Sequence, residues 1–350
     1  MRKILVISLG GIGDLIMATP MIKSLKAHYP KSKIDLLLFP YGGKEVLENS
    51  KYIEDTYIYV DRNHTLTKKR PSIIKSFSST LSLLLKLRAE RYDLTISVIP
   101  SSSNKLALLA KIIGAKKRIG FDSKYYTSKI KIDPKSHKVD NNLSLLSLLK
   151  IPQNDRKQYF HIGKENELRA VDFIMKHGLK NKKIVGIHPG SYWKRTGRQW
   201  GADNFAELAD ALNIKKDVKV LFVIGPSEKG IEKEIRRLMK TEPILINDQS
   251  LKDTAAIIKN CVCFIGNDSG ITHMAEALEV PVVIISGFVN FNFTGPYSMG
   301  NRKNVLQPNL LCIKNCPVAL RDEKKGDCHY ACYKLIRIED VKRRIDKFLK

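Results

Sequence analysis

The first residues that could do chemistry form a glycine-rich loop ending in an acid, Gly10 to Asp14, directly after the apolar run 4–9. Glycines permit a tight turn and a close approach of backbone to ligand, which favours a dinucleotide-binding turn. That fingerprint needs a third glycine three residues after Gly13, where the sequence has Ile16. What remains is a carboxylate at the end of a predicted strand, a position suited to a general base. The alternative is that Asp14 only caps a short helical turn.

The most basic loop runs from His188 to Trp200, between a predicted strand and a predicted helix. Three cations, two glycines and a helix N-terminus converge there. Backbone amides, the helix dipole and basic side chains together favour a diphosphate. The alternative is a solvated basic loop, against which the adjacent aromatic residues at 192–193 argue.

Two further loops follow predicted strands and carry acids. The turn 225–228 ends in Glu228, which would either accept hydrogen bonds from the hydroxyls of a ribose or only complement the dipole of the next helix. The loop 266–273 opens a helix with small residues, so free amides can hold phosphate or sugar oxygens while Asp268 accepts from hydroxyls. His273, one turn into that helix, is either a buried structural residue or a ligand contact.

The six cysteines fall into two groups. Cys261 and Cys263 alternate within an apolar strand, and four lie near the end of the chain: Cys312, Cys316, Cys328 and Cys332. With His329 these four could supply ligands to zinc or to an iron–sulfur cluster, although their spacing is not that of a standard zinc finger. The alternatives are reduced structural cysteines or a redox-sensitive pair. The pattern is unlike a secreted disulfide framework and predicts a cytoplasmic protein.

Positive charge is the strongest compositional feature: 61 Lys and Arg against 35 Asp and Glu in 350 residues, a formal net charge of +26. Residues 1–150 hold 27 basic and 12 acidic residues, so the first part of the chain is the more basic per residue. This surplus predicts anionic surroundings or an anionic substrate, such as nucleic acid, phospholipid or a phosphorylated glycan. The alternative is that lysines merely decorate solvated faces. The hydrophobic fraction of 43% argues against a disordered chain.

Short β-rich runs alternate with helical patterns, which predicts parallel sheets covered by helices. In the first part we predict strands at 3–8, 34–39, 56–59, 92–98 and 116–119, and helices at 21–28, 43–49, 72–90 and 142–149. In the second we predict strands at 183–187, 219–224, 244–246, 262–265 and 280–285, and helices at 165–176, 204–212, 228–239, 252–259, 271–278 and 338–348. The prediction is two doubly wound α/β domains, with ligands at the carboxyl ends of their strands.

The first long helix is predicted to begin after Asp14, at Thr19-Pro20, where an N-cap residue precedes a proline at the first helical position. The short apolar run after Met1-Arg2-Lys3 is interpreted as a strand rather than a signal peptide. The sequence contains no run of about 18 apolar residues, so it predicts no membrane-spanning segment.

Taken in order, several motifs resemble glycosyltransferase family 9, the ADP-heptose:lipopolysaccharide heptosyltransferases. They are Gly-Gly-Ile-Gly-Asp14, Thr19-Pro20, Tyr92-Asp93, His188-Pro189-Gly190-Ser191 with Arg198 and Trp200, Gly225-x-x-Glu228, and Asp268-Ser269-Gly270-x-x-His273. The resemblance implies the α/β arrangement called GT-B, two Rossmann-like doubly wound domains facing across a cleft. It predicts an acceptor domain at 1–164, a nucleotide-sugar domain at 165–335 and a closing basic helix at 336–350.

The resemblance also implies the roles of single residues. Asp14 matches the catalytic carboxylate that takes the proton of an acceptor hydroxyl as it attacks the anomeric carbon, with inversion in one displacement. Arg198 stands where the family usually has a lysine, and with Ser191 and Lys194 it would stabilise the departing diphosphate. Glu228 matches the ribose-binding glutamate. The loop that holds sugar and phosphates is matched by Asp268, Ser269, Gly270 and His273. The resemblance implies neither a metal nor another cofactor.

On the acceptor side we expect Gly11, Gly13 and the basic run Lys68-Lys69-Arg70, which would attract acidic core sugars and phosphorylated lipid A at the inner face of the cytoplasmic membrane. The prediction is a cytoplasmic, peripheral, monomeric enzyme that moves heptose from ADP-heptose to a lipopolysaccharide core acceptor and binds no nucleic acid. The alternatives are a transferase of the same fold using another nucleotide sugar, such as a UDP-hexosamine, or a non-catalytic binder of anionic glycan or nucleic acid. The failed glycine fingerprint argues against an NAD-dependent oxidoreductase.

Overall fold

The computed structural model describes residues 2–60, 72–98, 104–190, 199–226, 228–287, 290–310 and 331–350. The backbone divides into two compact units, Met1–His161 and Ile162–Lys350. Each unit is built on one parallel β-sheet with helices in its crossover connections, as the alternation of strand and helix patterns predicts.

The first unit contains six described strands and four described α-helices. The strands are β1 (Lys3–Ser8), β2 (Lys33–Leu38), β3 (Thr56–Ile58), β4 (Leu94–Ser97), β5 (Lys117–Phe121) and β6 (Ser128–Ile130). The helices are α1 (Ile12–His28), α2 (Ile73–Ala89), α3 (Asn104–Ile113) and α4 (Lys138–Ser144), with 3₁₀ turns at Lys44–Val46 and Leu145–Leu149. The strands pair in the order β3-β2-β1-β4-β5-β6.

The second unit repeats this plan. Its described strands are β7 (Lys183–His188), β8 (Val218–Val223), β9 (Ile244–Ile246), β10 (Cys263–Asn267), β11 (Val282–Ile285) and β12 (Val305–Leu306). Its described helices are α5 (Lys164–Lys176), α6 (Ala202–Asn213), α7 (Lys229–Leu238), α8 (Leu251–Ile258), α9 (Gly270–Ala277), α10 (Phe291–Thr294), α11 (Met299–Arg302), α12 (Ala331–Lys334) and α13 (Ile338–Ile345). The strand order is β12-β11-β10-β7-β8-β9.

Counted from the first strand of each unit, both sheets have the order 3-2-1-4-5-6, which is the Rossmann order. The direction of strand addition reverses between β1 and β4 in one sheet and between β7 and β10 in the other. Ligands of such sheets bind beyond the carboxyl ends of these strands. Asp14 follows β1, His188 ends β7 and Asp268 follows β10, so the predicted site residues that these loops carry lie at the two reversal points.

The central strands are almost wholly apolar because helices cover both faces of a doubly wound sheet. The run 4–7 of β1 is fully buried, and so is the whole of β10. The loops that carry the predicted site residues therefore begin at the ends of buried strands. Among the described residues, no helix combines the length and the apolar character needed to cross a bilayer.

The prediction that the first long helix begins at Thr19-Pro20 is wrong. Helix α1 starts at Ile12 and contains Pro20, which cannot donate the usual hydrogen bond to the carbonyl of Ile16. The Thr19 hydroxyl donates to that carbonyl instead, at 2.7 Å, and accepts from the backbone N–H of Tyr159 at 2.9 Å. The threonine thus replaces the lost backbone bond within the helix, and Asp14 lies in the first turn of α1 rather than before it.

Other differences are smaller. The segment 43–49 forms only a short 3₁₀ turn, and the helix predicted at 142–149 begins earlier, at Lys138, and ends as a 3₁₀ turn. Helix α3, the four-residue helices α10, α11 and α12 and the edge strands β6 and β12 are absent from the prediction. Short edge strands carry little pattern: β3 and β9, with three residues each, lie in apolar runs that the sequence reveals, whereas β6 alternates with lysines and β12 has two residues.

A carboxylate cluster joins α5 to α8. Asp253 accepts hydrogen bonds from Asn166 Nδ2 at 2.8 Å, from Arg169 Nε at 2.7 Å and from Ser250 Oγ at 2.7 Å. The Ser250 hydroxyl also caps α8 by accepting from the Asp253 N–H, as its spacing predicts. Burial opposes ionisation of Asp253, but these hydrogen bonds outweigh it and hold the pKa of its carboxyl below the usual range.

We expect Asp253→Asn to lower the free energy of unfolding by about 1–2 kcal/mol at pH 7, because the amide loses charge-assisted hydrogen bonds. A carboxyl whose pKa is lowered by folding stabilises the protein above its unfolded pKa of about 3.9, and this stabilisation disappears as the pH falls through the folded value. Urea denaturation of both proteins should therefore show a difference in the free energy of unfolding that becomes smaller as the pH is lowered. Asp172→Asn, on the exposed side of α5, is the matched control and should change nothing. Equal stability of Asp253→Asn and the unmodified protein at neutral pH would contradict the prediction.

Candidate functional site

Asp14 is held at the carboxyl end of β1 by two hydrogen-bond donors. It is the third residue of α1, and its Oδ2 accepts from the Gly11 N–H at 3.0 Å, closing a capping interaction. Its Oδ1 accepts from Lys138 Nζ at 2.7 Å, and the Asp14 side chain stays partly exposed. Asp14 therefore caps α1, and its side chain is anchored and still partly open to solvent. Its role as a general base stays a prediction.

The glycine that makes room for this carboxylate is Gly10. A Cβ at Gly10 would lie 2.6 Å from Asp14 Oδ2, whereas one at Gly11 would lie 4.0 Å from the same atom. Gly11 is the N-cap residue of α1 and Gly13 lies in its first turn, so both glycines predicted for the acceptor side adjoin Asp14. The sequence pattern points to Gly11 and Gly13 but gives Gly10 no role of its own.

Lys138 was not predicted as a site residue. It is the first residue of α4, 124 positions from Asp14 in the chain, and α4 packs on α1. Asn142 strengthens this packing, since its Nδ2 donates to the carbonyl of Met17 at 3.4 Å. Because nothing local in the sequence connects Lys138 to Asp14, only the packing of α4 on α1 reveals the pair.

Glu228 lies in the second unit, in the turn after β8, the strand that pairs with β7. It is the N-cap residue of α7 and is buried, and its Oε2 accepts from the Gly225 N–H at 2.7 Å. Gly190 lies against the same carboxylate, since a Cβ at Gly190 would come within 1.7 Å of Glu228 Oε1. The loops after β7 and β8 therefore meet at Glu228, and they can do so only with glycine at position 190.

His188 faces the same carboxylate. Its Nδ1 lies 2.9 Å from the carbonyl oxygen of Val223, which can only accept, so Nδ1 carries the proton. Its Nε2 then points to Glu228 Oε1 at 3.7 Å. His188 was part of a predicted motif without a role, and the structure makes it the inner wall of the Glu228 site.

Asn267, the last residue of β10, joins the two ends of the basic loop. Its Nδ2 donates to the carbonyl of Pro189 at 2.8 Å, and its Oδ1 accepts from the Trp200 N–H at 3.1 Å. Trp200 itself belongs to the core, since it is buried against Phe205 and its Nε1 donates to the carbonyl of Ile336 at 2.8 Å. Asn267 thus links Pro189 to Trp200, a role that the sequence pattern did not suggest.

The loop after β10 opens helix α9. Ser269 is its N-cap residue, with Oγ accepting from the Thr272 N–H at 3.3 Å, and Gly270 is the first helical residue. Asp268 Oδ1 lies 3.1 Å from Nε2 of the buried His273. His273 therefore contacts Asp268 within the same loop, and the Ser269 hydroxyl accepts a hydrogen bond from the backbone at the start of α9.

A pocket of about 310 Å³ opens beside the Glu228 turn, at the carboxyl ends of β8 and β9. It is lined by Ile224, Gly225, Pro226, Glu232, Asn247, Asp248 and Gln249. Amide and carboxylate groups supply most of its polar atoms, so it offers acceptors and donors next to a buried carboxylate.

Several predicted residues lie outside the described part of the chain: Ser191, Lys194, Arg198, Lys68, Lys69, Arg70, Cys312, Cys316 and Cys328. Of the four terminal cysteines, Cys332 is described and is buried. Cys261 and Cys263 are buried free thiols, and burial raises the pKa of Cys263 to about 12. Within the described ranges, no three His, Cys, Asp or Glu side chains lie together in a way that could hold a metal ion.

Several known proteins resemble this chain. The sequence profile of glycosyltransferase family 9 (heptosyltransferase) matches residues 80–317, more than half of the chain. The chain belongs to glycosyltransferase family 9. Among curated family 9 relatives, lipopolysaccharide heptosyltransferase 3 of Escherichia coli K12 is 28% identical over 311 residues, which cover 84% of each chain. This confirms the predicted family and the prediction that the protein is a glycosyltransferase.

Solved family 9 structures share the fold. A family 9 glycosyltransferase from Veillonella parvula superimposes with a TM-score of 0.80 at 23% identity, covering 99% of this chain and 97% of that one. ADP-heptose lps heptosyltransferase II of E. coli superimposes with a TM-score of 0.76 at 20% identity, covering 99% and 98%. The predicted class, two Rossmann-like α/β domains of the GT-B type, is confirmed.

Proposed function

We propose that this family 9 protein is an inverting, metal-independent heptosyltransferase that moves heptose from ADP-heptose to a lipopolysaccharide inner-core acceptor. The observation that carries the proposal is Asp14, an anchored, partly exposed carboxylate at the reversal point of the first sheet. A solved relative with the same fold is an ADP-heptose lipopolysaccharide heptosyltransferase, which supports this choice of donor and acceptor.

In the proposed reaction Asp14 is the general base. It takes the proton of an acceptor hydroxyl, whose oxygen bonds to the anomeric carbon as the bond from that carbon to the phosphate oxygen breaks. ADP leaves with the electron pair of the broken bond, and the configuration at the anomeric carbon inverts. Gly11 and Lys138 each occupy one carboxylate oxygen of Asp14, so the side chain is already oriented when the acceptor arrives.

The second unit is proposed to bind the donor. Glu228 accepts from the ribose hydroxyls, and the adjacent pocket at β8 and β9 takes the base. The diphosphate is stabilised by Ser191, Lys194 and Arg198 and by the free amides at the start of α9. Sugar and phosphates are held by Asp268, Ser269, Gly270 and His273. Basic side chains and helix amides thus supply the positive charge that stabilises the departing diphosphate.

The first unit is proposed to bind the acceptor, with the domain bounds 1–164 for the acceptor and 165–335 for the donor. Its basic surplus, including Lys68, Lys69 and Arg70, would attract phosphates and acidic sugars of an acceptor at the inner face of the cytoplasmic membrane. We propose that the protein works there as a peripheral monomer. Reversing the charge of residues 68–70 should raise the KM for acceptor, and an unchanged KM at moderate salt would contradict that role.

The experiment that tests the function compares ADP-heptose with UDP-N-acetylglucosamine by calorimetry and follows product formation on a deacylated core acceptor. We expect tight binding of the ADP sugar, weak binding of the UDP sugar, and transfer of heptose. A preference for the UDP sugar would favour the same fold with another donor. Binding of an anionic glycan without any transfer would favour a non-catalytic binder.

A further inference from the structure

Helix α2 carries an apolar stripe that the protein leaves in solvent. Phe77, Leu81 and Leu85 are 69%, 45% and 60% exposed, and they follow one another at intervals of four residues. At 3.6 residues per turn these three side chains lie within an arc of roughly 80° on one side of the helix. Three large apolar side chains exposed in one line form an apolar strip, which becomes a candidate contact surface where its surroundings suit a partner.

The stripe is distinct from the face by which α2 packs on its own domain. Leu87 is fully buried, and Leu83 and Leu84 pack partly buried against the core of the first unit. These three leucines already account for the attachment of the helix. Core packing therefore gives no reason for Phe77, Leu81 and Leu85 to be apolar.

Helix α3 extends the same surface. Its Leu108 and Ile112 are 42% and 43% exposed, one helical turn apart. Arg88 of α2 lies within the arc of the stripe, and its Nη1 donates to the carbonyl of Ile112 at 2.9 Å, so the end of α3 lies beside the stripe. We call the five exposed side chains the α2–α3 face: Phe77, Leu81, Leu85, Leu108 and Ile112.

The segments that carry the α2–α3 face are strongly basic in sequence. The segments 72–91 and 104–117 together contain eight Lys and Arg and a single acid, Glu90. On α3 the exposed Lys105 and Lys111 alternate with Leu108 and Ile112. An apolar strip bordered by cations has the composition of an interfacial helix that rests on anionic lipid.

We propose that the α2–α3 face docks the protein on an anionic lipid bilayer, with Phe77, Leu81 and Leu85 inserted at the headgroup level and the flanking cations against lipid phosphates. A second copy of the chain fits this face poorly, because pairing would bring two strongly basic surfaces together. The inference deepens the peripheral membrane association proposed above and identifies the surface responsible for it.

The direction of α2 relates this face to the catalytic edge of the sheet. Helix α2 ends at Ala89, shortly before β4 begins at Leu94, so its C-terminal end lies at the amino edge of the sheet. Its 17 residues run back by about 25 Å, which places the Phe77 end toward the carboxyl edge that carries Asp14. A lipid-linked acceptor in a bilayer docked on this face would enter the first unit near Asp14.

The test uses the full chain and flotation with vesicles of phosphatidylcholine alone or mixed with phosphatidylglycerol. The unmodified protein should float with the anionic vesicles, and Phe77→Ser/Leu81→Ser/Leu85→Ser should reduce that partition at least about tenfold. Lys105→Glu/Lys111→Glu should weaken binding to anionic vesicles through charge alone, without altering an apolar side chain. Thermal melts of both variants should match that of the unmodified protein, because all the substituted residues are exposed.

Helix α5 provides a matched control. Its Leu168, Val171 and Met175 are comparably exposed, but α5 has as many acidic as basic residues and therefore lacks the positive surplus of α2 and α3. Serine at these three apolar positions should leave vesicle binding unchanged. Equal flotation of the α2 variant and the unmodified protein would overturn the proposal. An unmodified protein that does not float with anionic vesicles would also overturn it. So would sedimentation showing that the α2 stripe mediates self-association instead.

Turnover of a deacylated acceptor separates this inference from the proposed function. The α2 and α3 variants should keep full turnover in solution, because their substitutions do not alter the Asp14 or Glu228 sites. If neither the unmodified protein nor any variant transferred heptose but vesicle binding followed the expectation, the proposed reaction would be wrong and the docking face would still be supported. Transfer of heptose without any vesicle binding would support the proposed reaction and contradict the docking face.

Discussion

Asp14→Asn is expected to lower kcat by about three orders of magnitude while ADP-heptose still binds, since general-base contributions are typically about 10²–10⁴-fold. The amide oxygen can still accept from the Gly11 N–H, but the amide cannot take a proton from an acceptor hydroxyl. Single-turnover rates and calorimetry on the same preparations separate the chemical step from donor binding.

Two further variants make this prediction specific. Lys138→Met removes the cation from Asp14 Oδ1 but keeps the base, so its loss in kcat should be about tenfold, well below that of Asp14→Asn. Asp140→Asn is the matched control, because it removes a carboxylate of α4 that pairs with Arg156 rather than with Lys138. An Asp14→Asn protein that keeps more than a tenth of the normal kcat would exclude Asp14 as the base.

Gly190→Ala is expected to weaken ADP binding by roughly tenfold to a hundredfold, although position 190 contributes no side chain to the site. The new Cβ would lie 1.7 Å from Glu228 Oε1, so the carboxylate has to leave the position held by the Gly225 N–H. The ribose hydroxyls would then lose the acceptor that we propose for them. Calorimetric titration with ADP measures the effect directly.

A double-variant cycle tests the cause. If Gly190→Ala acts by displacing Glu228, it should add little to Glu228→Ala, since the group that clashes is then absent. Gly230→Ala, in the first turn of α7 with nothing within 4 Å of its new Cβ, should leave ADP affinity unchanged. Additive losses in the double variant would indicate that Gly190 and Glu228 act separately.

Local patterns were sufficient for the architecture. Alternating β-rich runs and amphipathic helices require a covered parallel sheet, and the loops that follow such strands share one edge. For this reason Asp14, Glu228 and Asp268 could be selected from their positions after apolar strands. The same local logic failed at Thr19-Pro20, where a hydroxyl substitutes for the missing backbone donor inside α1. A proline pattern alone cannot distinguish a helix start from this internal repair.

Pairings between distant segments could not be predicted. Lys138 meets Asp14 across 124 residues, and Asn267 holds Pro189 and Trp200 from 78 and 67 residues away. The required absence of a side chain at Gly190 depends on where Glu228 packs. Each of these contacts follows from the docking of one helix or loop on another, which short-range periodicity does not describe.

The sequence by itself determined the two Rossmann-like domains, the loops proposed to carry the chemistry and the basic character of the first domain, because spacing and composition are properties of the chain. Only the tertiary structure decided which side chains complete each site and which apolar residues remain in solvent. The stripe of Phe77, Leu81 and Leu85 has the spacing of a core-facing helix. The structure shows instead that Leu83, Leu84 and Leu87 pack inward and that the stripe is exposed. Periodicity identifies an apolar face of a helix, but the direction of that face is set by the long-range packing that buries one side and leaves the other in water.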